Sequence, residues 1–254
     1  MGRIEFEADI FSPTGMTLIV DGTAQSHVDR GDPTRLFFEY TRRIGHVIDA
    51  LGTPGAPIRA THLGGGGLTL PRYVDATRPG SSQVVVEHDE RLLRLVLERL
   101  PLPRGADIET VVADARDAIV DLAAGAGRGA SDLVVLDLYT RLDPPAFTTD
   151  PAFLADALAL LAPDGVLVAN VADGAGLVRL GALARAVARA DPRATLVATG
   201  DANVIAGSED GNTVLVVAPG GMPERIVPRL RERGPHPAEV LEGARLDHVL
   251  WGAC

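Results

Sequence analysis

The stretch ATLVATGDANVIAG (194–207), SEDG (208–211) and NTVLVVAP (212–219) holds two β-branched runs joined by a few turn residues. Parallel strands need a crossover of a dozen or more residues, so this pair reads as antiparallel. Upstream, from about residue 58, the rhythm differs: short apolar runs alternate with longer helical patterns, the mark of βαβ units and a largely parallel sheet. IRATHL (58–63) reads as the first strand and QVVVEH (83–88) as the second. DERLLRLVLERL (89–100) follows with apolar residues at three- and four-residue steps behind Asp89, a helix cap. The alternation continues through IETVVADA (108–115), RDAIVDLAA (116–124), DLVVLDLY (132–139), DPAFLADALALLAP (150–163), GVLVANV (165–171) and AGLVRLGALARAVARA (175–190).

Five strands with intervening helices make a doubly wound α/β sheet. A mostly parallel sheet closed by an antiparallel terminal hairpin is the class I methyltransferase type, whereas the two-half dinucleotide-binding sheet has no such hairpin. Ahead of it, TLIVDGTAQSHV (17–28) reads as strand, turn at Asp21-Gly22 and strand, with a helix over roughly 33–51. The expected organisation is a small N-terminal β module with its helix (1–54), the main domain (55–233) and a C-terminal tail (234–254). GTPGAP (52–57) and GPHPAE (234–239) mark the boundaries.

Composition narrows the chemistry. A chain of 254 residues with 46% hydrophobic and 23% charged residues is globular, and a net charge of −10 argues against a nucleic-acid backbone as partner. All of its cationic side chains other than histidine are arginine, so a P-loop lysine, a pyridoxal Schiff base and a lysine base are excluded. The lone cysteine, Cys254, builds neither a disulfide framework nor a metal site, and His27, His46 and His62 show no metal-ligand spacing. With no leader pattern in MGRIEFEADIFSPTG and no apolar run near ~20 residues, neither a membrane nor export is expected, and the expected location is the cytoplasm.

Gly64-Gly65-Gly66-Gly67 lies between the first strand and a helix, where the absence of a Cβ lets backbone approach a ligand. Glu87, about twenty residues on, closes the second strand, where a carboxylate can accept both hydroxyls of a ribose. Asp114 follows the third strand at the same carboxyl edge, within reach of an adenine amino group. Asp137 ends the fourth strand near the expected switch point; a carboxylate behind a run of apolar residues is costly unless used or paired.

In this order, HLGGGGLTLPRYV (62–74), VVVEHDE (84–90), ADA (113–115), DLVVLDLYT (132–140) and FTTDPAFLADALALLAPDGVLVANV (147–171) resemble the polyamine aminopropyltransferases and their spermidine synthase-like relatives. With LIVDGTAQS (18–26), the resemblance covers roughly residues 17–218. It implies that Gln25 contacts a nucleoside donor, that Gly64, Gly65 and Gly66 line its amino-acid-derived arm, and that Glu87 holds the ribose. Asp114 and Ala115 would meet the adenine and Asp137 would orient or deprotonate the attacking amine; Thr140 is the candidate acceptor-facing residue of that loop, and Tyr139, beside Asp137, either contacts substrate or simply packs. The implied co-substrate is decarboxylated S-adenosylmethionine, with no permanently bound cofactor or metal, an amine acceptor, and a homodimer as assembly. Two positions depart from the pattern: Gly67 stands where an aspartate is expected in the glycine loop, and Thr140 where the second aspartate of the catalytic loop is expected. Glu39 and Tyr40 match the family's Tyr-led motif only loosely. An S-adenosylmethionine-dependent methyltransferase and a catalytically silent nucleoside-binding protein are the alternatives.

Overall fold

The structure, a computed structural model, describes residues 2–139 and 144–252. Cys254 and Thr140 lie outside the described residues. A small antiparallel sheet comes first: β1 (Ile4–Ala8), β2 (Gly15–Val20) and β3 (Thr23–Asp29), in that order. The β2–β3 turn has positive φ at Asp21 (51°) and Gly22 (81°), the paired left-handed geometry that matches strand twist in a two-residue hairpin. β1 was not expected from sequence; Ile4 and Phe6 alternate with Glu5 and Glu7 and pack beside Leu18 and Leu68.

Helix α1 (Glu39–Ala50) starts later than the residue 33 expected from sequence. The carboxylate of Asp32 accepts the Thr34 N–H at 3.1 Å, and Arg35 reaches Asp9 (2.6 Å) and Asp29 (3.2 Å) on the small sheet. These contacts hold residues 32–35 in a turn against the hairpin and leave the helix to begin beyond Phe38.

The main sheet contains β4 (Arg59–Leu63), β5 (Ser82–Glu87), β6 (Asp107–Val112), β7 (Ser131–Leu136), β8 (Leu161–Asp173), β9 (Thr195–Asp201), β10 (Gly211–Ala218) and β11 (Ala238–Glu242). Its order is β11-β9-β10-β8-β7-β4-β5-β6. β4 to β8 pair in parallel and β10 runs antiparallel to β9, as the sequence predicts; β10 also runs antiparallel to β8. β11, drawn from residues 234–254, pairs antiparallel with β9 and extends the sheet beyond the hairpin.

Helices α2 (Thr69–Thr77), α3 (Glu90–Arg99), α4 (Ala115–Ala124), α5 (Pro151–Ala159), α6 (Val178–Ala190), α7 (Ala202–Ile205), α8 (Ile226–Arg233) and α9 (Gly243–Trp251) complete the fold. Alternation along the strands feeds two cores, since neighbouring strand residues face opposite sides. Leu133, Val135, Val166, Val168, Val214 and Val216 pack with α1 and α8, while Val134, Leu136, Leu167, Ala169, Leu215 and Val217 pack with α4, α5, α6 and α9. Asp89 caps α3 through the Leu92 N–H at 2.9 Å, as read from sequence. Trp251 is half-exposed, with its indole on Asp247 and Arg185 over its ring. Among the described residues no helix is long and apolar enough to cross a membrane.

Candidate active site

From β4 the chain winds outward through β5 and β6, then crosses back to β7 and β8. The crevice opens at the carboxyl ends of β4 and β7, where such sheets bind ligands. A cavity of about 730 Å³ lies there, floored by the strand ends and roofed by the β2–β3 hairpin and the start of α1.

The glycine loop is shaped by its neighbours. Gly64 has φ +100°, and its N–H donates to Val86 O at 2.9 Å while Asp137 N–H donates to Leu63 O at 3.0 Å. A Cβ on Gly64 would stand 2.1 Å from the Asp137 carbonyl oxygen. The hairpin closes on the far side: Ser26 Oγ accepts the Gly67 N–H at 3.0 Å, and Thr69 Oγ1 donates to His27 O at 2.9 Å. A Cβ on Gly67 would come within 2.8 Å of Ser26 Cβ. The hairpin therefore fills the space that a side chain at Gly67 would need.

Glu87 is buried behind this loop. Its Oε2 accepts the N–H groups of Gly65 (3.0 Å) and Gly66 (3.2 Å), and its Oε1 accepts Asp89 N–H at 2.9 Å with His88 Nδ1 at 3.0 Å. Burial opposes ionisation, but His88 and the amides outweigh it and hold the carboxyl below its ordinary range. His88, in turn, is pushed upward by Glu87.

Asp137 sits part-buried just past β7. Its Oδ1 accepts Asn170 Nδ2 at 2.8 Å and its Oδ2 accepts the Tyr40 hydroxyl at 3.3 Å. Burial raises its carboxyl above the usual range although both hydrogen bonds favour the anion. Burial and Asp137 likewise raise Tyr40 well above an ordinary phenol. Asn170 Oδ1 accepts Asn212 Nδ2 at 2.8 Å, so a polar chain runs from β10 through β8 to Asp137. Tyr139 turns its hydroxyl to the free edge of β8, donating to Asn170 O (3.0 Å) and accepting Ala172 N–H (2.5 Å) where β7 no longer pairs.

The cavity brings together Gln25, Gly64, Gly65, Gly66, Glu87, Asp137 and Tyr139. Asp114 and Ala115 do not line it: Asp114 is exposed and caps α4 through the Arg116 N–H at 2.8 Å, and Ala115 is packed in the core. Tyr40, a loose candidate in sequence, lies against Asp137. Asn170 and Asn212 were not read from sequence; the signal for Asn170 was a lone amide at the end of the apolar run GVLVA. His62 lies beneath the loop, hydrogen-bonded to Gln83 Oε1 at 2.9 Å, and burial lowers it to about 4, so it is neutral near pH 7. Among the described residues, the lining also carries the carboxylates of Glu39, Asp201, Glu209 and Asp210, more than the guanidinium of Arg43 and the imidazole of His88 offset. Arg43 is itself paired with Glu39 at 3.1 Å, so the field within the cavity favours cations. No group of three or more metal-ligating side chains converges among the described residues.

No family model matches the chain. A curated protein of Chromobacterium violaceum named polyamine aminopropyltransferase is 28% identical over 149 residues, 58% of this chain and 54% of that protein. The chain thus matches about half the length of that relative. A crystal structure of a probable spermidine synthase from Corynebacterium glutamicum superposes with a TM-score of 0.86 at 28% identity, covering 99% of this chain and 91% of that one. Human Methyltransferase-like protein 13 in complex with SAH gives a TM-score of 0.59 at 22% identity, covering 77% and 89% of the two chains. The resemblance to the aminopropyltransferases extends to sequence and fold, and the fold is of the class I methyltransferase type.

Proposed function

We propose that this chain transfers an alkyl group from an S-adenosyl sulfonium donor to an amine, with decarboxylated S-adenosylmethionine as donor and the aminopropyl group transferred. The observation that carries the reading is Asp137, a carboxylate with a raised pKa in the same cavity as the glycine loop and Glu87. In this reading Glu87 accepts the ribose hydroxyls, the loop from Gly64 to Gly66 borders the sulfonium arm, and Gln25 closes over the nucleoside. The amine nitrogen attacks the carbon next to sulfur; the new C–N bond forms as the C–S bond breaks, and methylthioadenosine departs. Asp137 takes the proton that the nitrogen must lose, and a carboxyl raised by burial is a stronger base for that step. The acidic lining supports both cations, the sulfonium and the ammonium. Asp114 and Ala115 would meet the adenine only from outside the cavity described here, at the carboxyl edge of β6. A homodimer belongs to the same proposal, drawn from the resemblance, and light scattering of the purified chain checks it.

A second reading, methyl transfer from intact S-adenosylmethionine, is favoured by one feature. Gly67 gives the glycine loop no carboxylate to hold a donor's ammonium, and Ser26 fills the space beside it, whereas an intact methionine arm brings its own carboxylate. Thermal unfolding with decarboxylated S-adenosylmethionine, S-adenosylmethionine and methylthioadenosine separates the two. A ligand at a hundredfold its Kd stabilises the native state by about 2.7 kcal/mol. Preference for the decarboxylated donor supports aminopropyl transfer, preference for the intact donor supports methyl transfer, and no stabilisation by any of the three overturns both. Asp137→Asn should abolish turnover under either enzymatic reading.

A further inference from the structure

The amide of Asn170 has two orientations, and one suits its neighbours. With Nδ2 toward Asp137 Oδ1 (2.8 Å) and Oδ1 toward Asn212 Nδ2 (2.8 Å), each donor meets an acceptor. Turned over, the amide would set oxygen against carboxylate and N–H against N–H. Asn212 stands on β10 opposite Ala172, and Asn170 stands one strand nearer the carboxylate, on β8.

We propose that Asn212 is a positioning residue for Asp137: by donating to Asn170 Oδ1 it keeps the Asn170 N–H on the carboxylate and leaves Oδ2 beside Tyr40 for the incoming amine. Asn212 acts through Asn170 rather than on the reactants, and the inference rests on the reading of Asp137 as proton acceptor. Among the described residues, the groups facing Asp137 are Tyr40 from α1, Asn170 from β8, and Tyr139 on its own segment, whose hydroxyl is committed to the β8 backbone. The other carboxylates that line the cavity, Asp21, Glu39, Glu87, Asp89, Asp201, Glu209 and Asp210, are the same in every Asn212 variant. A difference between variants therefore isolates the amide. Without the donor at position 212, one of the two contacts that fix the Asn170 amide is gone and its N–H is held less firmly on the carboxylate, and a part-buried carboxylate whose hydrogen bond weakens takes up its proton at higher pH.

The experiment follows the Asp137 carboxyl by carbon NMR during a pH titration, with its signal assigned by its loss in Asp137→Asn. Asn212→Leu should raise the midpoint by about one pH unit, the scale of one charge-assisted hydrogen bond, and Asn212→Gln, which keeps the donor, should return it toward the wild-type value. The acidic limb of the kcat/KM profile should move upward by the same amount. An unmoved midpoint in folded Asn212→Leu overturns the proposal, and Asn212→Ala is read the same way should the leucine variant not fold. The titration needs no turnover: a shifted midpoint in a protein that transfers nothing would uphold Asn212 as the group that orients the carboxylate and sink the transferase reading.

Discussion

Replacing Gly64 with alanine tests how tightly the glycine loop is built against the end of β7. Gly64 has φ +100°, where a Cβ is strained whatever the space, and its new Cβ would meet Asp137 O at 2.1 Å and Asp137 C at 2.9 Å. These atoms are backbone, so no rotamer change relieves the clash, and the loop or the strand end must shift. The strain costs about 1–2 kcal/mol and the overpacking about 1–3 kcal/mol more, together a large share of a stability of roughly 5–15 kcal/mol. Gly22 separates the two contributions. It too has positive φ, 81°, but nothing lies within 4 Å of its would-be Cβ, so Gly22→Ala carries the backbone strain alone. Urea unfolding followed by circular dichroism, with a common m value, gives both losses. Gly64→Ala should lose more than Gly22→Ala by about 1–3 kcal/mol. Equal losses would refute the close approach of β4 and β7 on which the site's geometry depends.

Glu87→Gln replaces a charged acceptor with a neutral amide behind the loop, and affinity for methylthioadenosine should fall about 10–100-fold by calorimetry; an unchanged Kd would remove Glu87 from the nucleoside site. In the small sheet, the Phe11 amide and Arg35 hold Asp9 below its usual pKa. Burial opposes ionisation of Asp29, but the Ser12 and Thr14 hydroxyls and the Gly31 and Asp32 amides outweigh it and lower this group too. A depressed folded pKa gives stability that is present above the ordinary carboxylate value of about 3.9 and is lost as pH falls through the folded one. Melting curves should therefore show Tm dropping from about pH 4 downward, and Asp29→Asn should flatten that drop; an equally steep drop in the variant would contradict the assignment.

Residues whose polarity breaks an apolar run were legible in the sequence. Asp137 stands out behind LVVL, and Glu87 behind QVVV, because a strand interior has no solvent to pay for a charge. The hairpin was legible because the connection is too short for a crossover, although the first strand ends at Asp201 and α7, not further strand, leads to Gly211. Asn170 and Asn212 were harder, since a neutral amide at a strand end is as readily solvated as used, and their roles appear only when β10, β8 and the end of β7 are laid side by side. The start of α1 was misread because LFFEYTRRI has helical spacing, while the contacts that delay it come from Asp9 and Asp29, outside that window. Asp114 satisfied the strand-end pattern equally well, yet its nearest orphan donor is the Arg116 amide of its own helix.

The adjacency of β4 and β7 also bears on how the molecule is made. Ala60 lies beside Leu133 and Leu63 beside Leu136, so a ribosome delivers the two halves of the crevice seconds apart at about 5–20 residues per second. A nascent chain that has emerged only through β6 already carries Gly64 and Glu87 but has no partner for the other edge of β4. Pairing across such a sequence separation is entropically costly and late. Under the proposed function, nucleoside added during translation should accordingly protect nothing until β7 has docked, which makes resistance to proteolysis in its presence a clock for completion of the sheet.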